Sequence, residues 1–395
     1  MTETDIFEKC RTYTAAKEII DLGIYPYFHA LESRQDTVVI MEGKRRIMLG
    51  SNNYLGLTTH PEVVEAGLKA IEKYGSGCSG SRFLNGTLEL HIELEAELSK
   101  FLNKDGVVTF STGFQSNLGI ISALVGRGDY VICDRENHAS IYDGCKLSYG
   151  KMLRYRHNDM ADLEQQLARI PDEAGRLIVT DGVFSMGGDI ANLPEIVRLA
   201  EKYGARVMVD DAHALGVIGE GGRGSASHFG LEDKVDIYMG TFSKSLASLG
   251  GYMAASAEVA DYVRHNSRPF IFSASMTPAS CACALAALRC LQKRPAMVDE
   301  LQSIAGHMRD GLRKNNIKIR ESKTPIIPIY TYEPIETLTI AKELYEAGVY
   351  VNCSLPPAAA PHECLLRTSL MATHTEPIVD EAIEILAKVL GRHEL

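Results

Sequence analysis

The sequence contains no apolar run of the roughly eighteen or more residues that a membrane-spanning helix needs, so no helical span is expected. Its first residues, MTETDIFEKCRTYTAAKEII, carry acids where a secretion signal would carry a cationic and then an apolar stretch, which points to the cytoplasm. A basic stripe is also missing. With 41 Lys and Arg against 51 Asp and Glu, the formal net charge is -10, which argues against nucleic acid or an anionic membrane as a partner. Acidic substrates must then be met by local charges. The nine cysteines are irregularly spaced, with Cys281 and Cys283 the only close pair, so neither a disulfide framework nor a zinc site is suggested and reduced, mostly buried thiols are expected. No repeat, low-complexity tract or linker rich in Gly, Ser or Pro divides the chain.

What is present is ample for a packed interior: 395 residues, 45% hydrophobic and 23% charged, make two domains the default. Between residues 60 and 260, short β-branched runs alternate with amphipathic helices, the pattern of a mostly parallel sheet covered on both faces. Predicted strands are 107–111, 129–134, 176–181, 205–211 and 235–241. Leu90, Leu94, Leu98 and Phe101 mark one helix; Pro194 opens and Gly204 closes another with Ile196, Leu199 and Tyr203 inward. After about residue 290 the order becomes helix (297–315), strand (IIPIY), helix (336–348), strand (VYVNC), loop (PPAAAP), strand (CLLRTSL) and helix. The expected organisation is an N-terminal arm (1–58), a large α/β domain (59–290) and a small α+β domain (291–395).

One lysine stands out. MGTFSKSLASLGGYMAAS places Lys244 just past a predicted strand, among Thr241, Ser243 and Ser245 and ahead of Gly250 and Gly251. Small hydroxyls can donate to a phosphate, and a partly desolvated amine has the lowered pKa that condensation with an aldehyde needs. Taken alone, the segment reads better as a surface lysine in a polar turn. Upstream, ARVMVDDAHALGVIGEGGRG carries Asp210 at a strand's end, followed by His213. A carboxylate there can pair with the protonated ring nitrogen of pyridoxal phosphate (PLP), keeping the ring an electron sink, and His213 could donate to the ring's phenolic oxygen. Loop capping and a metal site compete with this; metal is the weaker option, since no second His or Cys lies at ligand spacing. FSTGFQSNLGIISALVG opens a helix at Gly113, leaving backbone N–H groups to hold a phosphate. DRENHASIYDG puts His138 in a loop after another strand, where an imidazole could stack on a ring and hydrogen-bond a substrate.

A Gly turn, a ring-facing His, an Asp and a Lys follow the chain order of the fold type I PLP enzymes. The strings SNNYLGL, SRFLNGTLELHIELE, NHASIYDG, DGVFSMGGD, DDAHALGVIGEGGRG and GTFSKSLASLGGY resemble the α-oxoamine synthases, which condense an amino acid with an acyl-CoA, along nearly the whole chain. Together with SASMTPAS and SLMATHT, SRFLNGTLELHIELE is most similar to the branch of soluble bacterial homodimers that uses L-serine and palmitoyl-CoA. The resemblance implies a fold type I PLP-dependent transferase: a mostly parallel central sheet with helices on both faces, plus a smaller α+β C-terminal domain.

It further implies that Lys244 carries PLP and later moves protons at the substrate α-carbon. Asp210 would keep the ring nitrogen protonated, His213 would contact the phenolic oxygen, and His138 would stack on the ring and orient the substrate. Gly113, Phe114, Thr241 and Ser243 would surround the phosphate, with Ser185 nearby. Thr277 would reach the phosphate of the neighbouring subunit in a homodimer whose active sites lie at the interface. Arg367, in CLLRTSL, would grip the amino acid carboxylate, with Ser81, Asn52 and Tyr54 lining the pocket. The implied reaction gives 3-oxosphinganine, CoA and carbon dioxide, the first step of sphingolipid synthesis; a lipid product raises peripheral contact with the inner membrane. No metal is implied.

Two departures from the family pattern appear: Phe114 stands where many members have Tyr after the Gly, and Leu355 precedes Pro356 and Pro357 where some have Arg. Glycine-using and alanine-using relatives, namely 2-amino-3-ketobutyrate ligase and 8-amino-7-oxononanoate synthase, are the nearest alternatives. An inactive scaffold subunit is a further alternative, opposed by the joint presence of Lys244, His138 and Asp210.

Overall fold

Apolar strands alternating with one-sided helices can bury both only as a sheet covered on two faces. A computed structural model of the chain, describing residues 5–356, 359, 362–393 and 395, has this arrangement. Its strands in chain order are β1 (Val38–Met41), β2 (Lys44–Met48), β3 (Gly106–Phe110), β4 (Tyr130–Asp134), β5 (Lys151–Tyr155), β6 (Arg176–Asp181), β7 (Arg206–Asp210), β8 (Ile237–Thr241), β9 (Gly251–Ala255), β10 (Ile326–Tyr332), β11 (Val349–Tyr350), β12 (Asn352–Ser354) and β13 (Cys364–Ser369). The central sheet has seven strands in the order β3-β9-β8-β7-β6-β4-β5. From β8 to β5 every pairing is parallel, whereas β9 runs antiparallel to both β8 and β3.

Successive residues of a strand face opposite sides, and the two sides are separately packed. Ile132, Ile178 and Val207 meet Leu94 and Leu98 of helix Glu89–Leu102, Ile196 of helix Leu193–Tyr203 and Leu288 of helix Pro278–Lys293. Their neighbours Val131, Val179 and Met208 meet Ile120 and Ile121 of helix Gly113–Leu124 and Ile141 of helix Ala139–Leu147. Gly204, at φ 62°, ends helix Leu193–Tyr203 in the left-handed conformation that glycine adopts without strain.

All five predicted strands of the central sheet are present, with ends moved by a residue or two. Two others escaped notice for physical reasons. β5 is an edge strand with a mixed, partly exposed sequence, KMLRY. β9, GYMAA, is fully buried but built from small residues with little β preference.

The C-terminal part packs helices Ala296–Lys314, Pro334–Ala347 and Glu376–Leu390 on a sheet of order β10-β13-β12. VYVNC, expected as one strand, is two. β11 pairs with β2 as far as Tyr350 against Met48, where β2 ends; past Val351 the chain joins β13 in another sheet. The strands of the N-terminal segment are thereby hydrogen-bonded to the C-terminal part.

Candidate active site

Parallel strands bring their C-terminal ends to one edge, where open α/β sheets bind ligands. The register sets Asp181 beside Asp210, and Asp134 ends the adjoining strand β4. All three carboxylates are buried, so each needs donors. Asp210 accepts from the side-chain amide of Asn117 at 2.7 Å and from the backbone N–H of Ala212 at 2.9 Å. Asp181 accepts from the backbone N–H of His138 at 3.1 Å; burial, followed by the charge of Asp210, pushes its carboxyl well above the usual carboxylate range. Asp134 accepts from the backbone N–H groups of Glu136 and Asn158, each at 2.8 Å.

Beyond β8, the turn carries Lys244 into a cavity of about 260 Å³ lined by Asp181, Asp210, His138, His213, Thr241 and Ser243 and by the first turn of helix Gly113–Leu124. Burial lowers the Lys244 ammonium to about 8, against the opposing pull of Asp210 and Asp181. Along the cavity wall, Thr112 caps the helix by accepting from the N–H of Gln115 at 3.1 Å, and the first-turn N–H groups of Gly113 and Phe114 lie outside the helix ladder. A Cβ on Gly113 would lie 2.8 Å from Thr241, so glycine is what lets the helix start approach the Thr241 and Ser243 hydroxyls, themselves 2.9 Å apart. The Phe114 ring meets His138 edge-on at 6.3 Å and 77°. An aromatic wall is therefore kept where the family hydroxyl is lost. Leu355 is half-buried, and Pro357 lies outside the described residues.

An adjoining cavity of about 390 Å³ shares His138, His213 and Lys244 with the first and is lined by Arg367, Asn52, Ser185, Tyr27, Asn352 and Cys353. Arg367 is 3% exposed, yet among the described residues no carboxylate pairs with it. It donates instead to neutral oxygens: Nε to the Ser185 carbonyl at 2.5 Å, and Nη2 to Asn52 Oδ1 at 3.0 Å and the Tyr54 hydroxyl at 3.2 Å. The Tyr54 hydroxyl also lies 2.7 Å from His213 Nδ1. Since arginine only donates, the Tyr54 oxygen accepts from Arg367, and the hydroxyl's own proton has two acceptors in reach, His213 Nδ1 at 2.7 Å and Asn52 Oδ1 at 3.4 Å. Burial holds His213 well below the usual imidazole range, with Lys244 and Arg367 adding to the effect, and burial likewise lowers His138.

The structure thus gathers Lys244, Asp210, His213, His138, Gly113, Phe114, Thr241 and Ser243 around one cavity and Arg367, Asn52 and Ser185 around the next, with Tyr54 bridging them. It does not bring Ser81 or Thr277 to either. Ser81 is buried with its hydroxyl unpartnered, and exposed Thr277 caps helix Pro278–Lys293 by accepting from the Ser280 N–H. Asn117 and Asp181 were missed. Asp181 could have been found, because RLIVTD ends in Asp as DYVICD and ARVMVDD do; Asn117 sits inside a helix like any polar residue there. A larger cavity of about 600 Å³, lined by Lys104, Arg176 and Asp236 among others, lies at the opposite ends of the strands, away from Lys244 and Arg367.

A family model described as "Aminotransferase class I and II" matches residues 44–386, and the chain belongs to that family. Among its relatives, the chain is 50% identical to the serine palmitoyltransferase of Sphingobacterium spiritivorum over 395 residues, covering 100% of this chain and 99% of the relative. It is 42% identical to the 8-amino-7-oxononanoate synthase of Thermoanaerobacter pseudethanolicus, covering 94% and 95%. A solved serine palmitoyltransferase structure containing PLP superimposes with a TM-score of 0.96 at 38% identity, covering 98% of this chain and 99% of the other.

Proposed function

We infer that this chain is a PLP-dependent acyltransferase, a serine palmitoyltransferase, condensing L-serine with palmitoyl-CoA to 3-oxosphinganine, CoA and carbon dioxide. One observation carries the reading: a buried guanidinium without a carboxylate partner stands in a cavity that shares a lysine of depressed pKa with the cavity beside it. A buried cation left without a counterion is unfavourable unless a ligand supplies one, and the substrate carboxylate does so.

PLP fits the residues present. Lys244 would hold its aldehyde carbon, Asp210 its ring nitrogen, His213 its phenolic oxygen and His138 a ring face, while Thr241, Ser243 and the Gly113 helix start would take the phosphate. When bound, PLP withdraws electrons from the serine α-carbon and makes its proton and carboxylate able to leave. The chain's residues supply the rest. Arg367 and Asn52 hold the carboxylate and so decide which α-carbon bond stands perpendicular to the ring plane. Lys244, freed by the arriving amine, removes the α-proton and later returns one. The new carbon–carbon bond forms at the thioester carbonyl as the carbon–sulfur bond breaks, CoA leaving as the thiol with the proton taken from the α-carbon; the bond from the α-carbon to the carboxylate then breaks, carbon dioxide leaves, and the proton Lys244 returns fills the position it vacates.

The proposal extends to a homodimer whose Thr277 reaches the phosphate held by a second copy and whose Ser81 completes the substrate pocket there. Phe83, Leu84, Leu249 and Phe272, large apolar side chains exposed in the single chain, support it as groups a second copy could cover. A cytoplasmic location with peripheral contact at the inner membrane accompanies an amphiphilic product; among the described residues no helix is long and apolar enough to cross a membrane.

The test is direct. Purified enzyme supplied with palmitoyl-CoA is expected to release CoA and form 3-oxosphinganine with serine. Turnover with glycine or alanine in place of serine would assign it to a sister activity, and no turnover with any would favour a scaffold.

Two further results are expected. The rate at which PLP-depleted enzyme regains visible absorbance on adding PLP should rise with pH, pass through half its maximum near 8 and level off above that, since the neutral amine is the nucleophile and Lys244 loses its proton there. Tyr54→Phe removes the hydroxyl between Arg367 and His213 and leaves buried polar groups unpartnered, an effect of about 1–3 kcal/mol. Steady-state kinetics should show kcat/KM for serine reduced roughly tenfold or more, with bound PLP retained.

A further inference from the structure

Arg367 is aimed by a backbone carbonyl, and that carbonyl belongs to a turn held by a histidine outside both cavities. Ser185 lies in Phe184–Asp189, a turn closed by the Phe184 N–H donating to the Asp189 carbonyl at 2.9 Å and the Gly188 N–H donating to the Phe184 carbonyl at 2.8 Å. Its last residue, Asp189, meets His157 Nε2 at 2.7 Å, while His157 Nδ1 meets Asp134 at the end of β4 at 3.0 Å. An ionised carboxylate only accepts, so both ring nitrogens donate and the ring is an imidazolium. Burial alone would lower it, but the bonds to Asp134 and Asp189 outweigh burial and push it up to about 10. The ring also packs edge-on against Phe184, centroids 4.4 Å apart.

The C-terminal part clamps the same turn from the other side. Ser322 and Thr324 hydroxyls both donate to the Gly188 carbonyl at 2.8 Å, and Arg320 lies 3.3 Å from Asp189. Gly188, at φ 69°, makes this approach possible, because a Cβ there would lie 2.6 Å from the Ile326 carbonyl oxygen. The turn is thus pinned between β4 and the segment preceding β10.

We propose that His157 is a positioning residue for amino acid recognition: it ties the Phe184–Asp189 turn to the end of β4 and so fixes the Ser185 carbonyl that orients Arg367. The proposal rests on the reading of Arg367 as the serine carboxylate site. PLP-loaded His157→Gln and Asp189→Asn are tested with serine and palmitoyl-CoA titrated separately. Each is expected to raise the serine KM about tenfold, to leave the palmitoyl-CoA KM within about twofold and to keep the PLP absorbance; the double variant should be no worse than either single, since both break one link. An unchanged serine KM, an equal loss for both substrates, or additive losses would each overturn it. If His157→Gln fails to fold, Asp189→Asn decides the matter by the same criteria. Failure of the wild-type enzyme to saturate with serine would sink the substrate reading instead, so the two failures are separable.

Discussion

Lys244→Ala is expected to lose both the visible absorbance of lysine-bound PLP and essentially all turnover. On the proposed reading two roles would vanish together: the covalent anchor and the base at the substrate α-carbon. Positioned proton transfer alone contributes about 10²–10⁴-fold, so a loss of at least about 10³-fold is expected in a condensation assay. The amine suits both tasks because burial brings it to about 8, where an appreciable fraction is neutral at physiological pH. Loss of activity should not reflect unfolding, since the substitution removes a desolvated cation from a cavity wall. Thermal unfolding close to that of the wild type checks this, and retained turnover would refute the mechanism.

Arg367→Ala should produce the second large effect, confined to the amino acid. Truncating one partner of a buried, hydrogen-bonded charge pair costs about 2–5 kcal/mol, and about 3 kcal/mol corresponds to roughly a hundredfold lower kcat/KM for serine. Arg367→Lys should restore little. Its ammonium cannot donate in a planar fork to Ser185, Asn52 and Tyr54 while also meeting a carboxylate. Separate titrations of serine and palmitoyl-CoA decide the point, and equal losses for both would contradict the assignment.

Much of the large sheet was legible because buried parallel strands are short apolar runs, and three of them end in Asp. The chain order of Gly113, His138, Asp210 and Lys244 pointed to residues that line one cavity because the first three lie at the beginning of a helix or the end of a strand and Lys244 lies in the turn just past β8. What stayed hidden depends on contacts between distant segments. Asn117 holds Asp210 from the middle of a helix, and nothing in NLGIISAL distinguishes it from a solvent-facing amide. VYVNC could not announce its change of sheet, since the break is set by where β2 runs out. His157 follows an edge strand whose mixed sequence did not announce it, and its two carboxylate partners lie far off in the chain.

Arg367 donates to the Tyr54 hydroxyl, which lies 2.7 Å from His213 Nδ1, so one hydrogen-bonded chain runs from the second cavity to the first. Members of such chains polarise one another, so a change at the head is felt at the tail. On the proposed reading, a carboxylate docking on Arg367 would draw the guanidinium's donation to itself, and the change would reach His213 in the neighbouring cavity through the Tyr54 hydroxyl.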